Sequence, residues 1–184
     1  MTRRRSESVA DRRARRAEVS DPNTVLEAAA AFLAVRPRSV AETRRRLRFL
    51  GYRHELVDEV IGRLEEMEYL DDASFARSWV ESRDRARPRG EGALRRELAL
   101  KGVERAVIDE VIGERSAPPG ATEAIDEAAA RRLLERRLRP LMREPDLRRR
   151  QQKAYALLAR NGFDPETCRS VSRQVLSEAS AAEV

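Results

Sequence analysis

Few residue combinations in this sequence could do chemistry, and most of them fail on spacing. His54-Glu55-Leu56-Val57-Asp58 opens like the helix of a zinc protease but has aspartate where the second imidazole must stand. Asp71-Asp72 could hold a cation in isolation, yet the pair sits at a predicted helix start, where carboxylates accept hydrogen bonds from free amides. Cys168 is the single cysteine and His54 the single histidine, so the chain offers no internal disulfide, no zinc set and no thiol partnered by an imidazole. Neither a glycine-rich phosphate loop nor a nucleophile elbow occurs. Binding without bond-making is expected, with no catalytic residue, no cofactor and no metal.

The chemistry that remains is that of arginine. Charged residues make up 38% of the 184, the net charge is +6, and the guanidinium fork suits phosphate and carboxylate partners. On a helical wheel centred on Thr43 and Leu47, Arg44, Arg45 and Arg48 point away from the apolar stripe and can meet a partner without leaving the core. Arg95 and Arg96 repeat that face. Further along, Arg148, Arg149, Arg150 and Lys153 form a third basic group, displaced because Tyr155 and Ala156 stand where Arg44 and Arg45 would. These nine residues are the candidates for contact with a partner or with DNA. The segments after the first two basic helices are acidic, with Glu55, Asp58 and Glu59, then Glu104, Asp109 and Glu110. Pairing of basic and acidic neighbours across the surface is the plain alternative, and exposed pairs contribute only tenths of a kcal/mol to about 1 kcal/mol each. An acidic final helix would be repelled by phosphate, which argues against reading of the DNA groove by that helix.

The elements that carry these faces recur. Alignment on Gly51, Gly102 and Gly162 brings Leu47, Leu98 and Leu158 into register before the glycine, and Tyr52, Val103 and Phe163 just after it. Val57, Ile108 and Cys168 follow, then Val60, Val111 and Val171. Each unit therefore reads as helix, break, helix, glycine, helix. In the first, Ser39 with Glu42 forms a capping box and Gly51 ends the helix where a left-handed residue is needed. The fold class is all-α, three tandem three-helix repeats: residues 21–70, 71–115 and 123–184. A basic tail, 1–20, is expected to be disordered when free, and 116–122 form a linker containing Pro118-Pro119-Gly120. Repeats one and two should pack as a pair, with the third free to reorient about that linker. In the third repeat the first helix is predicted to run from about Glu123 to Leu141 and the second to begin near Pro145. Phe75 and Trp79, one turn apart, are expected in the core.

No apolar run approaches the roughly 20 residues of a membrane span, and the arginine-rich N-terminus lacks the apolar segment of a signal peptide, so a cytoplasmic protein is expected. Nothing suggests a coiled-coil seam, and a monomer is expected.

Tyr69-Leu70-Asp71-Asp72 followed by Phe75-Ala76 and Trp79, then Arg89-Gly90, Glu97-Leu98, Lys101-Gly102-Val103 and Ile108, resembles the RecX family of bacterial regulatory proteins. The Arg-Pro-Arg-Ser run at 36–39 and Gly162-Phe163 extend the resemblance to roughly residues 24–178. The family commonly has glycine before the Tyr-Leu-Asp-Asp stretch, where this chain has Glu68. The resemblance implies three three-helix units in an elongated, curved arrangement. It also implies a protein that lodges in the groove of the RecA filament on single-stranded DNA and hinders growth, ATP hydrolysis and strand exchange, without a cofactor. The alternative is a non-specific DNA-binding protein acting directly on single or double strands.

Overall fold

The computed structural model describes residues 8–115 and 124–181. Among them there is no strand, and the helices are α1 (Val9–Ala17), α2 (Pro22–Leu33), α3 (Val40–Leu50), α4 (His54–Glu66), α5 (Asp72–Ala86), α6 (Glu91–Leu100), α7 (Arg105–Gly113), α8 (Ile125–Glu135), α9 (Leu138–Met142), α10 (Leu147–Arg160) and α11 (Pro165–Ala181). The chain divides into two compact units. Of the described residues, one holds those up to Phe75 together with Lys101–Val103, the other Ala76–Leu100 and those from Glu104 onward.

The repeat read from the glycines is the repeat of the core. Leu47, Leu98 and Leu158 are fully buried, as are Val57 and Cys168 ten residues on in the following helices, with Ile108 nearly so. Gly51, Gly102 and Gly162 all adopt positive φ, from 83° to 107°, which ends each middle helix without a Cβ penalty. The capping box of Ser39 and Glu42 closes on α3, and Asp21 caps α2 ahead of Pro22. Thr43, buried on the apolar face, is satisfied because its hydroxyl donates to the Ser39 carbonyl at 3.0 Å.

Four features differ from the sequence reading. Residues 9–17 of the expected disordered tail form a helix, with Ser8 and Asp11 as its capping box. No residue of α1 is buried. It is held instead by guanidinium contacts, Arg13 over the Phe49 ring and Arg16 over Tyr52, each 5.8 Å from the centroid. An apolar-periodicity argument has no purchase on such a helix. In the third repeat, α8 stops at Glu135 and α9 begins at Leu138. Pro140 explains the break, since its ring would clash with the carbonyl of Arg136 one turn back. Most of the second repeat shares a compact unit with the third, contrary to a third repeat free to swing. The contacts responsible join residues far apart in sequence: Arg136 donates to the Ala86 carbonyl at 2.7 Å, and Gly90 N–H to the Asn161 carbonyl at 3.0 Å. The linker at 116–122 lies outside the described residues, as do 1–7 of the tail. Finally, Trp79 is half-buried rather than core.

One docking pattern occurs in both units. In the first, the turn Lys101–Val103 sits on the start of α3: Ser39 Oγ donates to the Lys101 carbonyl at 2.7 Å and Lys101 Nζ lies 3.2 Å from Glu42 Oε1. Burial works against the charged form of Glu42, but hydrogen bonds from Arg36, Lys101 and the Ser39 N–H outweigh it and hold the carboxyl below its ordinary range. In the second unit the turn at Asn161-Gly162 sits likewise on the start of α6, with Arg89 donating to the Asn161 side chain.

Glu68 occupies the left-handed region at φ 59° and closes α4, where Tyr69 and Leu70 N–H groups both return to the Leu64 carbonyl. A side chain there costs about 1–2 kcal/mol that glycine would not. Glu68→Gly should therefore stabilise the first unit by roughly 1 kcal/mol after the added freedom of the unfolded chain is discounted. Thermal unfolding measures this, and a lower midpoint would mean that the Glu68 side chain contributes a contact worth more than its strain.

Candidate partner-binding faces

The middle helix of each repeat carries the basic face, and the geometry sorts the nine candidate residues into two groups. On α3, Arg44 Nε meets Asp58 Oδ1 at 3.0 Å and Arg48 Nη2 meets Asp58 Oδ2 at 3.0 Å. Arg95 on α6 repeats this, paired with Glu91 Oε1 one turn back at 2.7 Å and with Asp109 of α7. Asp58 and Asp109 are equivalent positions, so the same acid of the following helix neutralises the inner arginine in both repeats. These pairs are half exposed, and each contributes about 1 kcal/mol or less. The outer arginines, Arg45 and Arg96, are exposed and make no ion pair with a described residue.

In the third repeat Arg150 turns back on its own helix start, its Nε and Nη2 donating to the Glu144 carbonyl at 3.0 and 2.8 Å. Lys153 pairs with the Glu144 carboxylate, and that hydrogen bond is the main reason the carboxyl lies below its ordinary range. Arg148 and Arg149 face solvent. Of the nine, Arg44, Arg48, Arg95, Arg150 and Lys153 are engaged within the protein, whereas Arg45, Arg96, Arg148 and Arg149 project outward. The α3 face belongs to the first unit, and the α6 and α10 faces to the second.

Trp79 forms a polar node that spacing did not suggest. Its Nε1 donates to Glu97 Oε2 at 2.9 Å, and Arg83 stacks 4.1 Å from the ring centroid while its Nε reaches the same carboxylate oxygen at 2.7 Å. Arg89 Nε approaches the other oxygen at 3.4 Å. Two further arginines escaped the sequence reading, Arg169 and Arg173 on α11, both exposed. The repeat register held the signal, because Arg169 stands where Asp58 and Asp109 stand in the other repeats.

Asp71 caps α5 by accepting from Ala73 N–H at 2.8 Å, and Asp72 caps α3 by accepting from Val40 N–H at 2.9 Å. His54 is exposed at the start of α4. Burial pushes the Cys168 thiol up to about 11, which leaves it protonated and a poor nucleophile at neutral pH. Among the described residues no group of three or more His, Cys, Asp or Glu is placed to hold a metal ion, and no helix is long and apolar enough to cross a membrane.

Models of the first, second and third three-helix domains of RecX match residues 26–64, 71–112 and 125–171. A protein of Prosthecochloris aestuarii named regulatory protein RecX is 32% identical over 158 residues, covering 86% of this chain and 97% of its own. Another of that name from Streptomyces coelicolor is 37% identical over 142 residues, 77% of this chain and 72% of its own. The crystal structure of RecX from Lactobacillus salivarius superposes with a TM-score of 0.70 at 18% identity over 84% of this chain and 96% of that one, a likeness of fold. With all three domains matched in order and relatives above 30% identity across most of the sequence, the chain belongs to the RecX family of regulatory proteins.

Proposed function

We propose that this chain binds the RecA filament assembled on single-stranded DNA and restrains its growth, ATP hydrolysis and strand exchange. The observation that carries the reading is the sorted arginine face. Asp58 and Asp109 hold the inner guanidinium groups of α3 and α6, while Arg45 and Arg96, at one and the same repeat position, are left to solvent. One outward arginine in each unit suits a partner offering the same anionic feature more than once, as a filament of identical subunits does. Contacts that are weak singly then gain from effective concentration. Arg148 and Arg149 would add a third point of contact. Membership of a family named as regulatory proteins agrees with control by binding.

The test is the single-strand-dependent ATPase rate of RecA at constant DNA and salt, with this protein added from far below to above the RecA concentration. Inhibition well below one molecule per RecA is expected. Arg45→Glu with Arg96→Glu should raise the concentration needed for half inhibition by about tenfold, since like charge now meets like across the contact. Both side chains are exposed, so circular dichroism should be unchanged. Inhibition that appears only when the DNA itself is saturated would overturn the filament reading, and an unaltered double variant would remove this face from it.

A further inference from the structure

Between α10 and α11 of the third repeat lies an open groove of about 580 Å³, large enough for a nucleotide-sized group. Its walls carry Arg148, Arg169 and Arg173, and no carboxylate is among the residues that line it. None of the three arginines makes an ion pair with a described residue. Tyr155, Gln151 and Gln152 complete the rim. On the floor, Ser172 is 3% exposed and its Oγ has no hydrogen-bond partner, an arrangement that ordinarily asks for a ligand or solvent group to complete it.

The repeat register shows how unlike its counterparts this groove is. Tyr155 replaces the inner arginines Arg44 and Arg95, Arg169 replaces their acids Asp58 and Asp109, Ser172 replaces Ile61 and Ile112, and Arg173 replaces Gly62 and Gly113. Where the first two repeats neutralise their inner cations, the third removes the acid, adds two cations and supplies an aromatic ring and a buried hydroxyl. Three guanidinium groups select an oxyanion. The ring and two carboxamides, which can both donate and accept, select a planar polar group attached to it.

We propose that this groove binds single-stranded DNA directly, a phosphate resting on Arg169 and Arg173 and the adjoining base on Tyr155. The inference goes beyond the filament reading and is independent of it, because every measurement is made without RecA.

The experiment is fluorescence anisotropy of a labelled oligothymidylate titrated with the full chain at several salt concentrations. Arg169→Gln with Arg173→Gln should weaken binding about tenfold near 50 mM salt and flatten the plot of log affinity against log salt by about 1.4. Tyr155→Ala should weaken it by a similar factor while leaving that slope unchanged, since stacking releases no counterions. Tyr155 is only partly buried, and a circular dichroism melt confirms that each variant folds. Absence of oligonucleotide binding by the wild type at low salt, or unchanged affinity and slope in the arginine double variant, would overturn the proposal. So would displacement of the oligonucleotide by polyglutamate as readily as by unlabelled oligothymidylate, which would make the groove a seat for an acidic protein. Thymidine monophosphate competing as well as the polymer would equally overturn it, in favour of a small-nucleotide pocket.

Discussion

Gly162→Ala is expected to destabilise the second unit by roughly 3 kcal/mol, because two independent penalties meet at one Cβ. The backbone at Gly162 has φ 86°, where any other residue is strained. An added Cβ would also lie well inside 3.0 Å of the backbone nitrogen and Cβ of Ala93, neither of which is the movable end of a flexible side chain. Relief requires the turn at 161–163 to lift off the start of α6, and with it the hydrogen bond from Gly90 N–H to the Asn161 carbonyl. Trp79, the single tryptophan, belongs to the same unit and reports its unfolding through fluorescence. The control is Gly62→Ala, in the interior of α4 with nothing within 4 Å of the new methyl group. That substitution should stabilise the first unit by about 0.5–1 kcal/mol through helix propensity alone. Equal effects at the two positions would show that the close approach at Gly162 does not constrain the turn.

What the sequence made legible follows from what kind of force set each feature. The three glycines, the buried leucines before them and the aromatic or valine after them are local requirements of a helix end and its core. They recur at matching positions, so alignment of the chain with itself exposes them. The caps at Ser39 and Asp21 are equally local. Sorting of the arginines is not, since Arg44 and Arg45 are adjacent and chemically identical until Asp58, on another helix, claims the first. Nor could periodicity place α1, which adheres through guanidinium groups over Phe49 and Tyr52 rather than through an apolar stripe. The association of the second repeat with the third was misread because proline and glycine in a linker describe the chain path only. Which bodies pack is decided by side chains such as Arg136, Arg89 and Arg115, which donate to a backbone carbonyl, to the Asn161 side chain and to a carboxylate many residues away.

Arg115 is where that association should be most vulnerable. Its side chain is only 5% exposed and forks onto Asp84, with Nε at 3.0 Å from one carboxylate oxygen and Nη2 at 2.6 Å from the other, while Nη1 binds Asp126. Asp84 lies near the end of α5 and Asp126 in the first turn of α8, and the second oxygen of Asp126 accepts the Glu91 N–H that opens α6. One cation thus holds three helix ends from two repeats. Burial disfavours its charge, but Asp84 and Asp126 more than compensate, and the guanidinium stays ionised. Arg115→Ala leaves two partly buried carboxylates facing each other without a counter-charge, at a cost of roughly 3 kcal/mol. Arg115→Lys should recover only a minor part, because an ammonium cannot span both acids as a planar fork does. The deficit should shrink when Asp84→Asn is added to Arg115→Ala, with a coupling of about 2 kcal/mol in the double-mutant cycle read by Trp79 fluorescence. Additive losses would mean that the two residues act through separate contacts. A full coupling would show that Arg115 acts chiefly through Asp84. The same cycle run with Asp126→Asn, the partner in the third repeat, measures how much of the joint between the second and third repeats this buried cluster carries beside the contacts of Arg136 and Gly90.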